Sequence, residues 1–152
     1  MIDTYNETDG NIVAVKDVPR ADTNKYGILD IESDDGTKVS AKGLVEKPDP
    51  DKAPSTLSII GRYILQPEVF QHLAAFEKGA GNEIQLTDAM AKLIGNQPFH
   101  GLRFAGDHFD CGGRLGFIAA NLAYAAADEE IGADVEALSQ NFTTHPIKNV
   151  AE

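Results

Sequence analysis

Hydrophobic residues in the first third of the chain come in short runs separated by polar turns, which is the pattern of strands. Ile12-Val13-Ala14-Val15 is a continuous apolar run, as expected of a strand covered on both faces. Residues 26–32 read as a second strand, and Ser33-Asp34-Asp35-Gly36 as a turn in which glycine tolerates positive φ. Residues 38–46 then return as a third strand. The polar, proline-punctuated stretch 49–54 is a loop, and 57–65 has the β-branched and aromatic content of a fourth strand.

The remainder turns helical. Pro67 suits a first helical position, Val69, Leu73 and Phe76 share one face, and Gly79 closes the helix. Leu86, Met90, Leu93 and Ile94 mark a second amphipathic helix closed by Gly95. Residues 98–104 and 108–111 read as short strands. Leu115, Ile118, Leu122 and Ala126 line an alanine-rich helix, and Ile131, Val135 and Leu138 line a last one. Helices thus occupy 113–140, and 141–152 reads as an irregular tail. No internal repeat or linker interrupts the chain, so 1–152 is expected to be a single, partial domain. Interspersed strands and helices predict an α/β fold, with a mixed sheet because the Asp35-Gly36 hairpin is antiparallel. The polar opening leads straight into a strand that needs neighbours on both edges. That predicts the C-terminal part of a larger α/β domain.

Composition narrows the function classes. The chain has 152 residues, 42% hydrophobic and 24% charged, which is ordinary for a folded domain. One cysteine, Cys111, excludes an intrachain disulfide framework. With 13 Lys+Arg against 24 Asp+Glu the net charge is −11, which argues against nucleic-acid binding. The most apolar stretch, 115–127, contains Asn121 and is shorter than the roughly 20 residues a bilayer requires. The first residues lack the basic head and apolar run of a signal peptide. The expectation is a cytoplasmic protein with no membrane and no nucleic-acid partner.

Three segments could carry chemistry. Glu46-Lys47-Pro48 ends a strand, and its carboxylate could take two hydroxyl hydrogen bonds from a sugar while the ammonium meets a phosphate. Pro48 biases Lys47 toward an extended backbone. The plain alternative is a solvated charged pair. Asp110-Cys111-Gly112-Gly113 places a carboxylate ahead of a helix, where it could be a magnesium ligand or simply a capping turn residue. Gly79-Ala80-Gly81-Asn82-Glu83 lacks the residues of a dinucleotide fingerprint or a P-loop, which leaves Glu83 as a support near a site or a surface acid. His72, His100, His108 and His145 show no metal-ligand spacing, and Cys111 beside Asp110 reads as a small packing residue.

Taken in order, Gly43-Leu44-Val45-Glu46-Lys47-Pro48, residues 59–65, Glu83-Ile84-Gln85-Leu86-Thr87-Asp88-Ala89-Met90 and Phe109-Asp110-Cys111-Gly112 resemble the bacterial UTP–glucose-1-phosphate uridylyltransferases (UDP-glucose pyrophosphorylases). The likeness runs from Gly10 to about Tyr124. It implies the C-terminal part of a Rossmann-like α/β/α sandwich with a mixed sheet. The implied reaction is UTP plus glucose 1-phosphate giving UDP-glucose and pyrophosphate, with Mg2+. By the same resemblance Glu46 holds glucose hydroxyls, and Lys47 binds the sugar phosphate and shares the catalytic role with Asp110. Asp110 is one of two magnesium aspartates. Gly27 lends its amide to the sugar, Ile59 and Gly61 line the same pocket, and Glu83 lies nearby.

The family's opening Gly-x-Gly-Thr-Arg signature for the nucleotide is absent, as is the segment carrying the partner aspartate. The expectation is therefore a sugar-phosphate half that is inactive alone, and a homo-oligomer, because a cut sheet exposes an edge. A non-catalytic sugar-phosphate-binding or assembly module is the alternative. A portion of a thymidylyltransferase acting on the same sugar phosphate is another.

Overall fold

The computed structural model describes residues 1–75, 77–79 and 82–144. The chain divides into two compact units, Met1–Ala105 and Gly106–Glu152. The first carries α1 (Ile2–Thr8), β1 (Asn11–Asp17), a 3₁₀ turn (Arg20–Lys25), β2 (Gly27–Asp34), β3 (Lys38–Glu46), β4 (Leu57–Ile64), α2 (Val69–Ala74), α3 (Leu86–Ala91) and β5 (Phe99–Arg103). The second carries α4 (Arg114–Ala126) and α5 (Gly132–Thr144).

The five strands form a mixed sheet, as the hairpin predicts. β1 runs parallel to β5, and the other pairings are antiparallel. The sheet closes on itself in the order β1-β4-β2-β3-β5, with β3 returning to β5 through Ser40 opposite His100. Every strand therefore has two neighbours. The expected exposed edge is a correction: closure of the ring supplies β1 with a partner on both sides from within the chain, and its residues 11–15 are buried. Val13, Val15, Leu29, Val39, Leu57, Ile59 and Phe99 pack with Met90 of α3 and with Leu93 just beyond it in one core. This core is what holds α3 against the strands.

Local chemistry explains the elements. At the β2–β3 turn Asp35 Oδ1 accepts the amides of Thr37 and Lys38 at 2.8 and 2.6 Å, and Gly36 adopts φ 91°. Arg103 of β5 is bonded to Asp17 of β1 and Asp34 of β2, tying three strands together. Buried Asn11 is satisfied: its Nδ2 donates to Gln97 Oε1 at 3.0 Å and its Oδ1 accepts the Gln66 amide at 2.9 Å.

Other expectations are corrected. The polar opening forms α1, which buries Thr4. Helix α2 stops at Ala74 with Ala75 as its cap, so Gly79 does not end it; the Gly79 amide instead bonds the Glu83 carbonyl at 2.8 Å. Residues 108–111 are not a strand. Helix α5 continues through Thr144, past the point where apolar periodicity fades. Phe76, Gly81 and His145 lie outside the described residues. Among the described residues, no helix is long and apolar enough to cross a membrane.

Candidate active site

The end of the β2–β3 hairpin gathers the candidate residues of the first unit. Its register sets Gly27 opposite Glu46 and Ile28 opposite Val45, while Ile28 also faces Ser58 of β4. Continuing that antiparallel register by one residue lines up Ile59, Gly27 and Glu46 on three adjacent strands. The Ile59 side chain is buried, so only its main chain is offered to a ligand.

Gly27 is where the site needs a glycine. A Cβ there would stand 3.2 Å from Glu46 Oε2 and 3.2 Å from both Oγ1 and Cγ2 of Thr87. Helix α3 thus presents the Thr87 hydroxyl of its first turn beside the Glu46 carboxylate, with the bare Gly27 backbone between them. The Glu46 side chain keeps only 11% of its surface exposed, whereas Lys47 keeps 51%. Lys47 Nζ stands 3.7 Å from Glu46 Oε1, so the pair is loosely coupled, with one partner recessed and the other reaching outward.

Lys47 corrects one expectation. Its φ is +46°, a left-handed conformation, not the extended one that Pro48 favours. The Lys47 amide donates to the Tyr26 carbonyl at 2.9 Å, which carries the hairpin ladder one step beyond the Gly27–Glu46 pair. The chain must then turn at once, and Pro48 is buried. A non-glycine residue in this region costs roughly 1–2 kcal/mol, and such strain clusters at functional sites.

Gly61 occupies a bulge. Val13 pairs with Tyr63 and Val15 with Ile59, so Ile60, Gly61 and Arg62 stand opposite the single residue Ala14. Gly61 takes φ 75° there, and a Cβ would meet nothing within 4 Å, so conformation and not space selects glycine. Tyr63 resumes the pairing just after the bulge, opposite Val13. Burial pushes the Tyr63 phenol up from its ordinary value, the Glu46 charge adds to this, and Arg62 partly offsets it. The phenol stays a neutral hydrogen-bond donor across the physiological range.

Glu83 is exposed, and its carboxylate accepts Gln85 Nε2 at 3.2 Å just ahead of α3. It touches none of the Gly27, Glu46 or Lys47 side chains in any described contact. Asp110 stands in the second unit. Its Oδ1 accepts the Gly112 amide at 3.0 Å, and its carbonyl accepts the Gly113 amide at 3.3 Å, which makes a tight turn before α4. The helix cap itself is Gly113, with no side-chain bond, so Asp110 shapes the turn and not the cap. A Cβ on Gly116 would fall 2.0 Å from the Asp110 carbonyl, so that glycine lets the turn lie on the helix. Cys111 is exposed, which corrects its reading as a packing residue. Among the described residues no three His, Cys, Asp or Glu side chains group as a metal cage. A lone exposed carboxylate still fits magnesium, which takes one or two protein carboxylates with substrate phosphates and water.

The structure brings the sequence candidates Gly27, Glu46 and Lys47 together and adds Thr87 beside them, a residue to which the sequence assigns no role. The approach of Thr87 depends on the packing of α3 against the hairpin. The signal available was the place of Thr87 at the start of an amphipathic helix.

Known proteins show the family. The Nucleotidyl transferase family profile matches residues 1–127. A UTP–glucose-1-phosphate uridylyltransferase of Komagataeibacter xylinus is 61% identical over 115 residues, covering 76% of this chain and 40% of that protein. Its counterpart in Staphylococcus epidermidis is 40% identical over 137 residues, covering 90% and 48%. A UDP-glucose pyrophosphorylase crystallised with UDP-glucose superposes with a TM-score of 0.78 at 36% identity, over 83% of this chain and 48% of that one. A UTP-bound UGPase from Acinetobacter baumannii gives 0.80 at 34% identity, over 92% and 48%. The chain therefore spans less than half the length of these relatives. The profile over residues 1–127 and the relatives at 61% and 40% identity agree on one assignment: this chain is a member of the nucleotidyl transferase family.

Proposed function

We propose that this chain is the sugar-phosphate-binding portion of a UTP–glucose-1-phosphate uridylyltransferase. The observation that carries the reading is the recessed Glu46 carboxylate, held open by Gly27 and flanked by an outward-reaching Lys47. A carboxylate accepts two hydroxyl donors from a hexose, and Thr87 and the Gly27 backbone complete a polar cradle around it. The main chain of Ile59 and the bulge at Gly61 form the adjoining wall, and Glu83 steadies the approach to α3. Lys47 pairs with the phosphate of the bound sugar. It neutralises charge as that phosphate nears the α-phosphorus of UTP, where orientation and electrostatics carry the rate. Local cations must dominate here because the chain as a whole carries −11.

Asp110 would supply one carboxylate to Mg2+, which when bound neutralises phosphate oxygens. UDP-glucose is the product held by the same Glu46 cradle. Exposed Leu115, Phe117 and Tyr124 on α4 support self-association, which sedimentation reads directly.

The 152 residues lack the glycine-rich triphosphate signature, so the chain alone is expected not to turn over. Mixing it with the remaining portion of the relative that is 61% identical, with magnesium, UTP and glucose 1-phosphate, should release pyrophosphate. Robust turnover by the chain alone would overturn the partial-site reading. Absence of turnover in the mixture, with both parts folded, would overturn the complementation.

A further inference from the structure

The segment that enters Gly27 and the segment that leaves Lys47 are braced to each other by one side chain. Arg20 opens the 3₁₀ turn Arg20–Lys25 that leads through Tyr26 into Gly27. Its Nη1 donates to the Pro50 carbonyl at 3.0 Å and to the Ala53 carbonyl at 3.1 Å. Both acceptors lie in the proline-punctuated loop that follows Lys47 and Pro48. Three further hydrogen bonds close a ring. The Lys47 amide donates to the Tyr26 carbonyl at 2.9 Å, the Tyr26 amide to the Thr23 carbonyl at 3.3 Å, and the Thr23 hydroxyl to the Arg20 carbonyl at 2.8 Å. Thr23 and Ala53 are buried, so the ring is anchored by packing on both of its sides. The far end of the loop is pinned separately. There the Ser55 hydroxyl donates to the Leu29 carbonyl at 2.6 Å, and the Val18 amide to the Thr56 carbonyl at 3.0 Å.

Such a ring answers a need at Lys47. Its φ of +46° opposes the extended backbone that Pro48 favours, and a strained residue persists only where its surroundings over-determine it. The bond to Tyr26 fixes the amide side of Lys47. The carbonyl side runs into a loop whose own bonds are local: Asp49 Oδ1 accepts the Asp51 amide at 3.1 Å, and the Asp49 carbonyl accepts the Lys52 amide at 2.8 Å. Those bonds shape the turn but do not set where it sits. Arg20 sets that, with one charge-assisted bond inside the turn and one just past it.

We propose that Arg20 is a positioning residue for the sugar phosphate. Through the 48–53 loop it holds the Lys47 backbone left-handed, and so keeps the ammonium, 3.7 Å from Glu46 Oε1, aimed at the phosphate of a bound sugar. This rests on the reading of Glu46 and Lys47 as the sugar-phosphate seat. The guanidinium bonds the loop and not Lys47 itself, so its influence reaches the ligand through the backbone.

Two measurements on the full chain test this together: calorimetric titration with glucose 1-phosphate, and NMR of the Lys47 backbone. Arg20→Gln should weaken binding about fivefold. Without ligand, it should move the Lys47 Cα and amide resonances from left-handed values toward extended ones. In a Lys47→Met background the same substitution should cost no further affinity, because its effect runs through the ammonium. A loss caused by the distant charge of Arg20, or by general loosening of the fold, would persist in that background. If Arg20→Gln does not fold, Arg20→Lys takes its place. It keeps the charge but not the planar fork, and a smaller loss with the same dependence on Lys47 is expected. Native binding that the folded Arg20 variant retains at full strength, unmoved Lys47 resonances, or a loss that survives removal of the ammonium would each overturn this assignment alone. Absence of binding by the native chain would overturn the seat, and this assignment with it.

Discussion

Gly27 and Glu46 face each other across the β2–β3 hairpin so closely that a single added carbon at Gly27 would lie 3.2 Å from the Glu46 carboxylate. The same carbon would press on Thr87. Gly27→Ala is therefore expected to push the carboxylate or the helix by a few tenths of an ångström. Because Gly27 does not need positive φ, the fold should survive. Affinity for glucose 1-phosphate should fall about tenfold, while the melting temperature moves little. An unchanged affinity by calorimetry would remove Gly27 from the site.

The left-handed backbone of Lys47 makes a separable prediction. Lys47→Gly relieves the φ of +46° and Lys47→Ala does not. The glycine variant should be more stable than the alanine variant by about 1 kcal/mol in denaturant unfolding, although glycine usually weakens a chain. Both should lose phosphate affinity. Equal stability of the two would mean that the strain is relieved elsewhere.

Gly61→Ala tests the bulge on β4. Nothing lies within 4 Å of the added methyl, so any loss reports the backbone alone. We expect about 1–2 kcal/mol of destabilisation, with Gly61→Asn less affected because Asn tolerates the left-handed region. A neutral Gly61→Ala would show that the bulge opens without strain.

Acid stability should depend on the strand tie at Arg103. The hydrogen bond from Arg103 to Asp34, followed by that from the Gly36 amide, holds the Asp34 carboxyl below its usual 3.8. A carboxyl lowered on folding stabilises the native state above its unfolded pKa, and that contribution is lost as pH falls through the folded value. Asp35 behaves alike, through the amides of Lys38 and then Thr37. Unfolding followed from pH 6 to pH 2 should show a steeper loss below about pH 4 for the native chain than for Arg103→Leu. Parallel curves would dismiss the tie as a source of pH dependence.

Much of this arrangement is legible in the sequence wherever the cause is local. Asp35-Gly36 dictates its turn through side-chain bonds to the next two amides, and so the hairpin that aligns Gly27 with Glu46 follows. The closure of β3 onto β5 is not legible, because Ser40 and His100 are sixty residues apart and neither carries a pairing signal. Lys47 misleads for a related reason: the proline rule is local, and the hairpin's last hydrogen bond to Tyr26 overrides it. Thr87 reaches the candidate site only through packing of α3, so its residue type alone could not mark it.

The central claim is that Glu46 and Lys47 form a seat for glucose 1-phosphate in this chain as it stands. Isothermal titration of the folded chain with glucose 1-phosphate tests it most directly. The account predicts saturable binding at one site per chain, weakened at least about tenfold by Glu46→Gln and by Lys47→Met. Absence of binding, or binding that both folded variants retain at full strength, would contradict it.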